Sequence, residues 1–168
     1  KRFDKVADAL SSYPNSICYA VKANSNLAIL KVMNRLGAGF DIVSGGELER
    51  VLLVGANPQN IVFSGVGKST EDIDFALKVG IRCFNVESSA ELDRIEARAR
   101  LLSRIASISV RVNPDIDAMT HPYISTGLKE NKFGVPETEA ISMYRRVHDS
   151  EVMDVRGIDC HIGSQITQ

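Results

Sequence analysis

The segment GFDIVSGGELERVLLVG, residues 39–55, contains one complete strand–helix unit. Gly39–Val43 is a mostly apolar run with the length of a buried strand. Ser44 and Glu47 have the spacing of a capping box, the pattern with which a helix begins. The residues that follow have helical periodicity, and Gly55 stands where that helix should end. The segment therefore predicts a strand followed at once by a helix.

The same unit recurs along the whole chain. A second capping box is found at Ser88 and Glu91, and Gly37 and Gly80 stand at two further predicted helix ends. A first helix is predicted in KRFDKVADAL, before any strand. The six predicted strands are Ile17–Val21, Gly39–Val43, Ile61–Phe63, Ile81–Val86, Ser107–Val112 and Val155–Ile162. Because each crossover contains a helix, the sheet should be parallel.

An α/β chain of this kind forms either an open doubly wound sheet or part of a barrel. The G-x-G-x-x-G turn that marks a dinucleotide crevice is absent from the sequence. GVGKS at Gly65–Ser69 resembles a phosphate loop, but Val62 occupies the position where that pattern requires glycine. The fold predicted is therefore a partial (β/α)8 TIM barrel with about six of its eight parallel strands present.

The composition excludes several classes of partner. Of the 168 residues, 44% are apolar and 24% are charged. The net charge is −1, and the positive and negative residues are interspersed along the chain. Nothing in this distribution predicts binding to nucleic acid or to anionic lipid. No apolar run has the length of a membrane span, and no ligand spacing predicts a metal site.

The cysteines and the chain ends lead to two further expectations. Cys18, Cys83 and Cys160 each lie within an apolar run, which predicts buried thiols in a reducing compartment and hence a cytoplasmic protein. The sequence opens within a predicted helix and stops just after an apolar run. We therefore expect an internal fragment of a longer protein.

One interval lacks the strand–helix rhythm. Residues 113–136, NPDIDAMTHPYISTGLKENKFGVP, contain three prolines and no sustained periodicity. A loop of this length in a compact domain is usually functional or disordered. Its apolar residues favour function, and a loop after the fifth strand of a barrel lies on the face that carries active sites.

Polar side chains follow several of the predicted strands. They are Lys22, Asp41 with Ser44, Arg111 with Asn113, and His161 with Ser164. Each has a structural explanation when taken alone: the lysine could extend to water, the aspartate could cap a helix or pair with the arginine, and the histidine could belong to the core. Together they lie at the same end of neighbouring strands, where barrel enzymes place their chemistry.

This set of side chains predicts pyridoxal phosphate. The amine of Lys22 can form a Schiff base with a carbonyl when it is neutral, a state that burial at a barrel mouth favours. Gly163 and Ser164 form a small turn whose amide and hydroxyl suit a phosphate. The flat ring of His161 can stack on a heteroaromatic ring.

Four motifs carry a resemblance to a known family. YAVKANSN, GFDIVSGGEL, RVNPDIDAMTHPYISTGLKENKFG and GIDCHIGSQ strongly resemble the diaminopimelate decarboxylase branch of the alanine-racemase-like, fold-type III pyridoxal-phosphate enzymes. The resemblance runs from about Cys18 to Gln165. The first and last motifs are similar in ornithine and arginine decarboxylases, whereas THPYISTGLKENKFG is the part that looks like the diaminopimelate branch.

The resemblance implies a role for each candidate residue. Lys22 matches the lysine that carries the cofactor covalently, His161 matches the histidine stacked on the pyridine ring, and Ser164 matches the serine that binds the cofactor phosphate. Asp41 and Arg111 match residues that line the cofactor pocket. Residues 1–168 then form an incomplete pyridoxal-phosphate-binding barrel domain.

The implied activity is decarboxylation of meso-2,6-diaminopimelate to L-lysine by a homodimer. The family's glycine-rich loop on the seventh strand, its Glu-Pro-Gly-Arg motif on the eighth and its C-terminal β-domain are absent, so we expect the 168 residues alone to be inactive. Two alternatives remain at this point. One is a sister decarboxylase of ornithine, arginine or carboxynorspermidine, and the other is a non-catalytic homologue that binds the cofactor.

Overall fold

The computed structural model describes residues 2–114 and 133–161. Its helices are α1 (Arg2–Leu10), α2 (Leu27–Arg35), α3 (Gly45–Leu53), α4 (Thr70–Val79), α5 (Ser89–Leu102) and α6 (Glu137–His148). Its strands are β1 (Cys18–Ala20), β2 (Gly39–Ile42), β3 (Ile61–Phe63), β4 (Cys83–Val86), β5 (Ala106–Arg111) and β6 (Met153–Asp159).

The six strands form one sheet in the order β1-β2-β3-β4-β5-β6, and every neighbouring pair is parallel. A doubly wound sheet would reverse its strand order at a switch point. Strands that follow one another in chain order instead form the arc of a barrel. The predicted parallel α/β architecture and its six strands are confirmed.

Helix α3 begins as the sequence predicts, with one difference in its cap. The Ser44 hydroxyl accepts a hydrogen bond from the Glu47 amide at 3.3 Å. The Glu47 carboxylate does not return to the Ser44 amide but accepts from the amide of Val43 at 2.8 Å. Ser88 and Glu91 repeat this arrangement at the start of α5. The two glutamates thus bind the end of the preceding strand and fix its direction into the helix.

A complete capping box lies at α4, where the sequence analysis did not place one. Ser69 and Asp72 exchange hydrogen bonds between side chain and amide, both at 3.1 Å. Aspartate stands here where the searched pattern has glutamate. The same carboxylate accepts from the Gly45 amide at 2.9 Å, so it joins the first turns of α3 and α4 at one edge of the sheet.

The predicted helix ends are confirmed at all three glycines. Gly37, Gly55 and Gly80 have φ values of 82°, 81° and 75°. Gly80 shows the consequence most directly, because its left-handed backbone turns the chain out of α4 while its amide still donates to Ala76 O at 2.9 Å.

The two faces of the sheet differ in chemistry. Phe40, Phe63, Phe84 and Ile108 are fully or almost fully buried and belong to the core between sheet and helices. The rings of Phe63 and Phe84 stack with centroids 6.0 Å apart. Because side chains alternate along a strand, the residues between them point to the opposite face, where small and polar side chains prevail.

The first and last strands are shorter than predicted at their carboxyl ends. Strand β1 ends at Ala20, and Val21–Ala23 form a 3-10 turn that contains Lys22. Strand β6 ends at Asp159, two residues before His161. Both predicted runs continued because the residues beyond the strands are also apolar.

The prediction of three buried thiols is correct only for Cys83. Cys18 is half-buried and Cys160 is exposed. Cys18 lies on β1 and Cys160 follows β6, which are the edge strands of the described sheet, so each lacks a neighbour on one side. Among residues 2–114 and 133–161, none of the helices combines the length and apolar character needed to cross a membrane.

Candidate functional site

The carboxyl ends of the strands surround a cavity of about 460 Å³. Lys22, Asp41, Arg111 and His161, which the sequence placed at four strand ends, all line it. The volume is within the range of small-molecule sites. Gly163 and Ser164, the predicted phosphate-binding turn, lie outside the described residues, as does most of the long loop after β5.

Ser44 and Asn113, which were predicted at strand ends together with Asp41 and Arg111, do not line this cavity. The hydroxyl of Ser44 caps α3 and does not line the cavity. Asn113 faces a different cavity beside α6, and its amide donates to Val135 O at 2.9 Å. That hydrogen bond belongs to a parallel bridge between Val112 and Val135. The bridge joins the segment that ends at residue 114 to the segment that begins at residue 133.

Lys22 is held by its backbone and not by its side chain. Val21 beside it is fully buried, and the turn is closed by the Asn24 amide, which donates to Val21 O at 3.1 Å. The Lys22 side chain is exposed, in contrast to the expected burial. Within the described residues, its Nζ makes no hydrogen bond or ion pair. The anchored backbone therefore presents an uncommitted amine at the cavity mouth.

Asp41 is part of a hydrogen-bonded row across three strands. The Ser64 hydroxyl donates to Asp41 Oδ1 at 2.6 Å, and Asn85 Nδ2 donates to the Ser64 oxygen at 3.0 Å. The row fixes the orientation of the carboxylate on the inner face of the sheet. Sequence analysis missed both Ser64, which directly follows β3, and Asn85, which stands between the apolar residues Phe84 and Val86 of β4. A polar residue at the end of a strand, or between apolar residues within one, is a pattern that could have indicated them.

Arg111 pairs with Glu87 and not with Asp41. Its Nη1 lies 3.1 Å from both carboxylate oxygens of Glu87, whose side chain is only 1% exposed. Its guanidinium also lies 5.2 Å from the centre of the Phe133 ring. The sequence analysis did not single out Glu87, which lies between a predicted strand and the Ser88 helix cap.

His161 is half-buried at the end of β6 and faces the other charged residues. Burial is the main cause that lowers the pKa of His161, and the positive charges of Arg111 and Lys22 lower it further. Asp159 and Asp41 partly offset these effects. The ring is therefore neutral at neutral pH, which suits stacking on a flat ring better than binding an anion.

Cys18 also lines the cavity but is a poor nucleophile. Burial raises the pKa of its thiol above the ordinary value, and this exceeds the opposing effects of Ser16 and Arg82. Since the thiolate is the reactive form, Cys18 remains an inert thiol at neutral pH. Lys22 is then the better placed nucleophile of the two.

The family model for the pyridoxal-dependent decarboxylase, pyridoxal binding domain, matches residues 1–168. The chain belongs to this family. Membership confirms pyridoxal phosphate as the predicted cofactor. The donors of the cavity fit that group, because they combine an uncommitted amine, a neutral flat ring and a fixed guanidinium.

Within this family, the chain is similar to curated diaminopimelate decarboxylases. The chain is 60% identical over 162 residues to the diaminopimelate decarboxylase of Pseudomonas aeruginosa, covering 96% of this chain and 39% of the relative. It is 57% identical over 165 residues to that of Vibrio cholerae, covering 98% of this chain and again 39% of the relative. The chain thus spans about two fifths of the length of these relatives.

Two solved structures show the shared barrel. Diaminopimelate decarboxylase from Helicobacter pylori, complexed with L-lysine, matches with a TM-score of 0.92 and 50% identity, over 99% of this chain and 44% of that one. The arginine decarboxylase of Paramecium bursaria Chlorella virus matches with a TM-score of 0.79 and 27% identity, over 99% and 42%. The described sheet is accordingly the six-stranded part of a (β/α)8 barrel.

Proposed function

We propose that the full-length protein is a diaminopimelate decarboxylase, which releases CO₂ from meso-2,6-diaminopimelate and forms L-lysine. The observation that carries this proposal is the uncommitted amine of Lys22 at a cavity lined by Asp41, Arg111 and His161. The curated relatives with 57–60% identity support the diaminopimelate branch over the arginine decarboxylase, whose identity is 27%. An inactive homologue is disfavoured because Lys22 is present.

Each site residue predicted from the sequence has a proposed role. Lys22 holds the cofactor covalently, and His161 stacks on its ring. Asp41 and Arg111 bind the cofactor from β2 and β5, while Gly163 and Ser164 bind its phosphate. Residues 1–168 would form the pyridoxal-phosphate-binding barrel domain. Homodimer formation and a cytoplasmic location remain predictions for the full-length protein.

The chemistry divides between cofactor and protein. When bound, pyridoxal phosphate supplies an electron sink for the electrons that CO₂ leaves behind. The protein supplies binding and orientation: Arg111 is fixed by Glu87, and Asp41 is fixed by the row through Ser64. Lys22 would hold the cofactor, and its Nζ at the cavity mouth would be the group able to hold or transfer a proton during turnover.

A substrate assay on the full-length protein tests the proposal. Meso-diaminopimelate carries a second carboxylate and ammonium at its far end, whereas ornithine carries only an amine there. When ornithine enters a site built to bind the distal pair, polar groups of the site remain unpaired. Such a site favours diaminopimelate over ornithine by about 10⁴-fold. We expect CO₂ release from meso-diaminopimelate and very little from ornithine, arginine or lysine. Comparable kcat/KM values for ornithine and diaminopimelate would place the protein in the sister branch.

A further inference from the structure

Lys68 is a fully buried lysine next to the cavity, at the same edge of the sheet as Lys22. Its side chain has no exposed surface, and its Nζ donates to Gly65 O at 2.6 Å and to Asn85 O at 2.9 Å. Nζ also lies 2.6 Å from Glu91 Oε1. The contact with Glu91 is a charge pair without the directed geometry of a hydrogen bond. The ammonium group is thus fully engaged within the fold.

Glu91 connects this pair to the cavity. Its second oxygen, Oε2, accepts from the Glu87 amide at 3.0 Å. Glu87 in turn accepts from the Gly65 amide at 3.0 Å and binds the guanidinium of Arg111. Lys68 and Glu87 therefore share Gly65, one through its carbonyl and the other through its amide.

The four charged side chains form a cluster of two pairs, and Asp159 Oδ2 lies 4.0 Å from Arg111 Nε at its edge. Lys68 and Arg111 carry two positive charges, and Glu87 and Glu91 carry two negative charges. Lys68, Glu87 and Glu91 have side-chain exposures of 0%, 1% and 3%, whereas Arg111 is 12% exposed and lines the cavity. Buried charges are stable only when paired, so the position of each member depends on the others. Arg111 is the charged member that lines the cavity, and Gly65 and Asn85, whose carbonyls accept from Lys68, line it as well.

We infer that Lys68 and Glu91 are positioning residues for the cofactor site. They hold Gly65 and the Glu87 backbone, and through the Glu87 carboxylate they fix the guanidinium of Arg111. The assignment of that site to pyridoxal phosphate rests on the proposed function. The nearby ion pair between α4 and α5, Arg98 with Asp74 at 2.6 Å, is part-exposed and does not reach the cavity.

The test uses a double variant of the full-length protein, Lys68→Met with Glu91→Gln. Removing both charges together leaves no unpaired charge in the core, so the fold is retained more readily than after a single substitution. The matched control is Arg98→Met with Asp74→Asn, which removes an ion pair between α4 and α5 that does not contact the cluster.

The first measurement is amide hydrogen exchange in the cofactor-free protein. We expect the amides of Gly65 and Glu87 to exchange about ten-fold faster or more in the Lys68/Glu91 variant, because both donate to carboxylates of the cluster. The control should leave these two amides unchanged. Unchanged exchange in the Lys68/Glu91 variant would overturn the inference.

The second measurement is the Kd for pyridoxal phosphate. We expect the Lys68/Glu91 variant to bind about 10-fold more weakly, as is typical when a supporting group is removed. In an Arg111→Met background the same double substitution should weaken binding by clearly less than about 10-fold, because the part of its effect that passes through Arg111 is already lost. An equal loss in both backgrounds, or none in either, would contradict positioning through Arg111.

Failure of the proposed function would look different. A wild-type protein that binds no pyridoxal phosphate overturns that function, and the exchange of Gly65 and Glu87 still decides whether the buried pair holds them.

Discussion

Lys22 and Lys68 follow two strands of one sheet, β1 and β3, at the same carboxyl edge. Lys68 is buried, and two backbone carbonyls and Glu91 surround its ammonium group. Lys22 is exposed, and within the described residues its amine has no hydrogen-bond or ion-pair partner. A lysine at a strand end is therefore not reactive by position alone. What differs is whether the fold supplies acceptors that hold the ammonium in place.

The largest expected effect is on turnover. Lys22→Met in the full-length protein should lower kcat by about 10²–10⁴-fold, because it removes a group that attaches the cofactor and transfers protons. The measurement is CO₂ release from meso-diaminopimelate at saturating cofactor. Lys78→Met, at the exposed end of α4, is the control and should keep wild-type turnover. A Lys22→Met protein with near wild-type kcat would show that turnover does not require Lys22, and so that the two lysines do not differ in function.

The second effect is on stability. Here we expect the substitution of Lys68 to have the larger effect and the substitution of Lys22 the smaller one. Lys68→Met leaves Glu91 charged and buried, which should cost about 3–5 kcal/mol of unfolding free energy. Lys22→Met should change it by no more than about 0.5 kcal/mol, because an exposed side chain is replaced. Chemical denaturation of the cofactor-free protein measures both values. Equal losses for the two variants would show that burial does not separate their roles.

The difference between the two lysines explains how far the sequence could be interpreted. The alternation of apolar runs and helical patterns identified all six strands, since this signal is local. Four of the residues predicted at strand ends, Lys22, Asp41, Arg111 and His161, meet in one cavity because parallel strands end at one edge. Lys22 was indicated by the apolar run before it.

The buried cluster could not be predicted in the same way. Lys68 was considered only as part of a rejected phosphate loop, and Glu91 only as part of a capping box. Their pairing joins the segment before α4 to α5, and Glu87 meets Arg111 across two strands. Such contacts depend on which segments become neighbours in three dimensions. No spacing within one segment contains that information.

A smaller effect concerns the ring beside Lys22. His161→Ala should weaken binding of pyridoxal phosphate by about 2- to 13-fold, the equivalent of a stacking contribution of about 0.5–1.5 kcal/mol. The control is His148→Ala, because His148 is exposed on α6 and distant from the cavity. Cofactor titration of the full-length protein measures the change. Unchanged affinity would assign His161 to a structural role.

The smallest effect is a pH dependence of stability. Burial lowers the pKa of His161 in the folded protein, whereas the unfolded chain keeps the ordinary value of 6.5. The unfolded state therefore binds the proton first as the pH falls, so stability is lost from pH 6.5 downward through the lowered pKa. His161→Phe should show a shallower decline of Tm between pH 6.5 and 5 than the wild type. Identical slopes would show that His161 titrates alike in both states.

The most direct test of the central claim locates the cofactor on one of the lysines. The full-length protein is loaded with pyridoxal phosphate, reduced with borohydride and digested, and the peptides are identified by mass spectrometry. Because the amine of Lys22 is uncommitted, we expect the peptide that contains Lys22 to gain the mass of reduced pyridoxal phosphate. The peptide that contains Lys68 should gain no such mass. An adduct on Lys68, or on Lys132 in place of Lys22, would contradict the account.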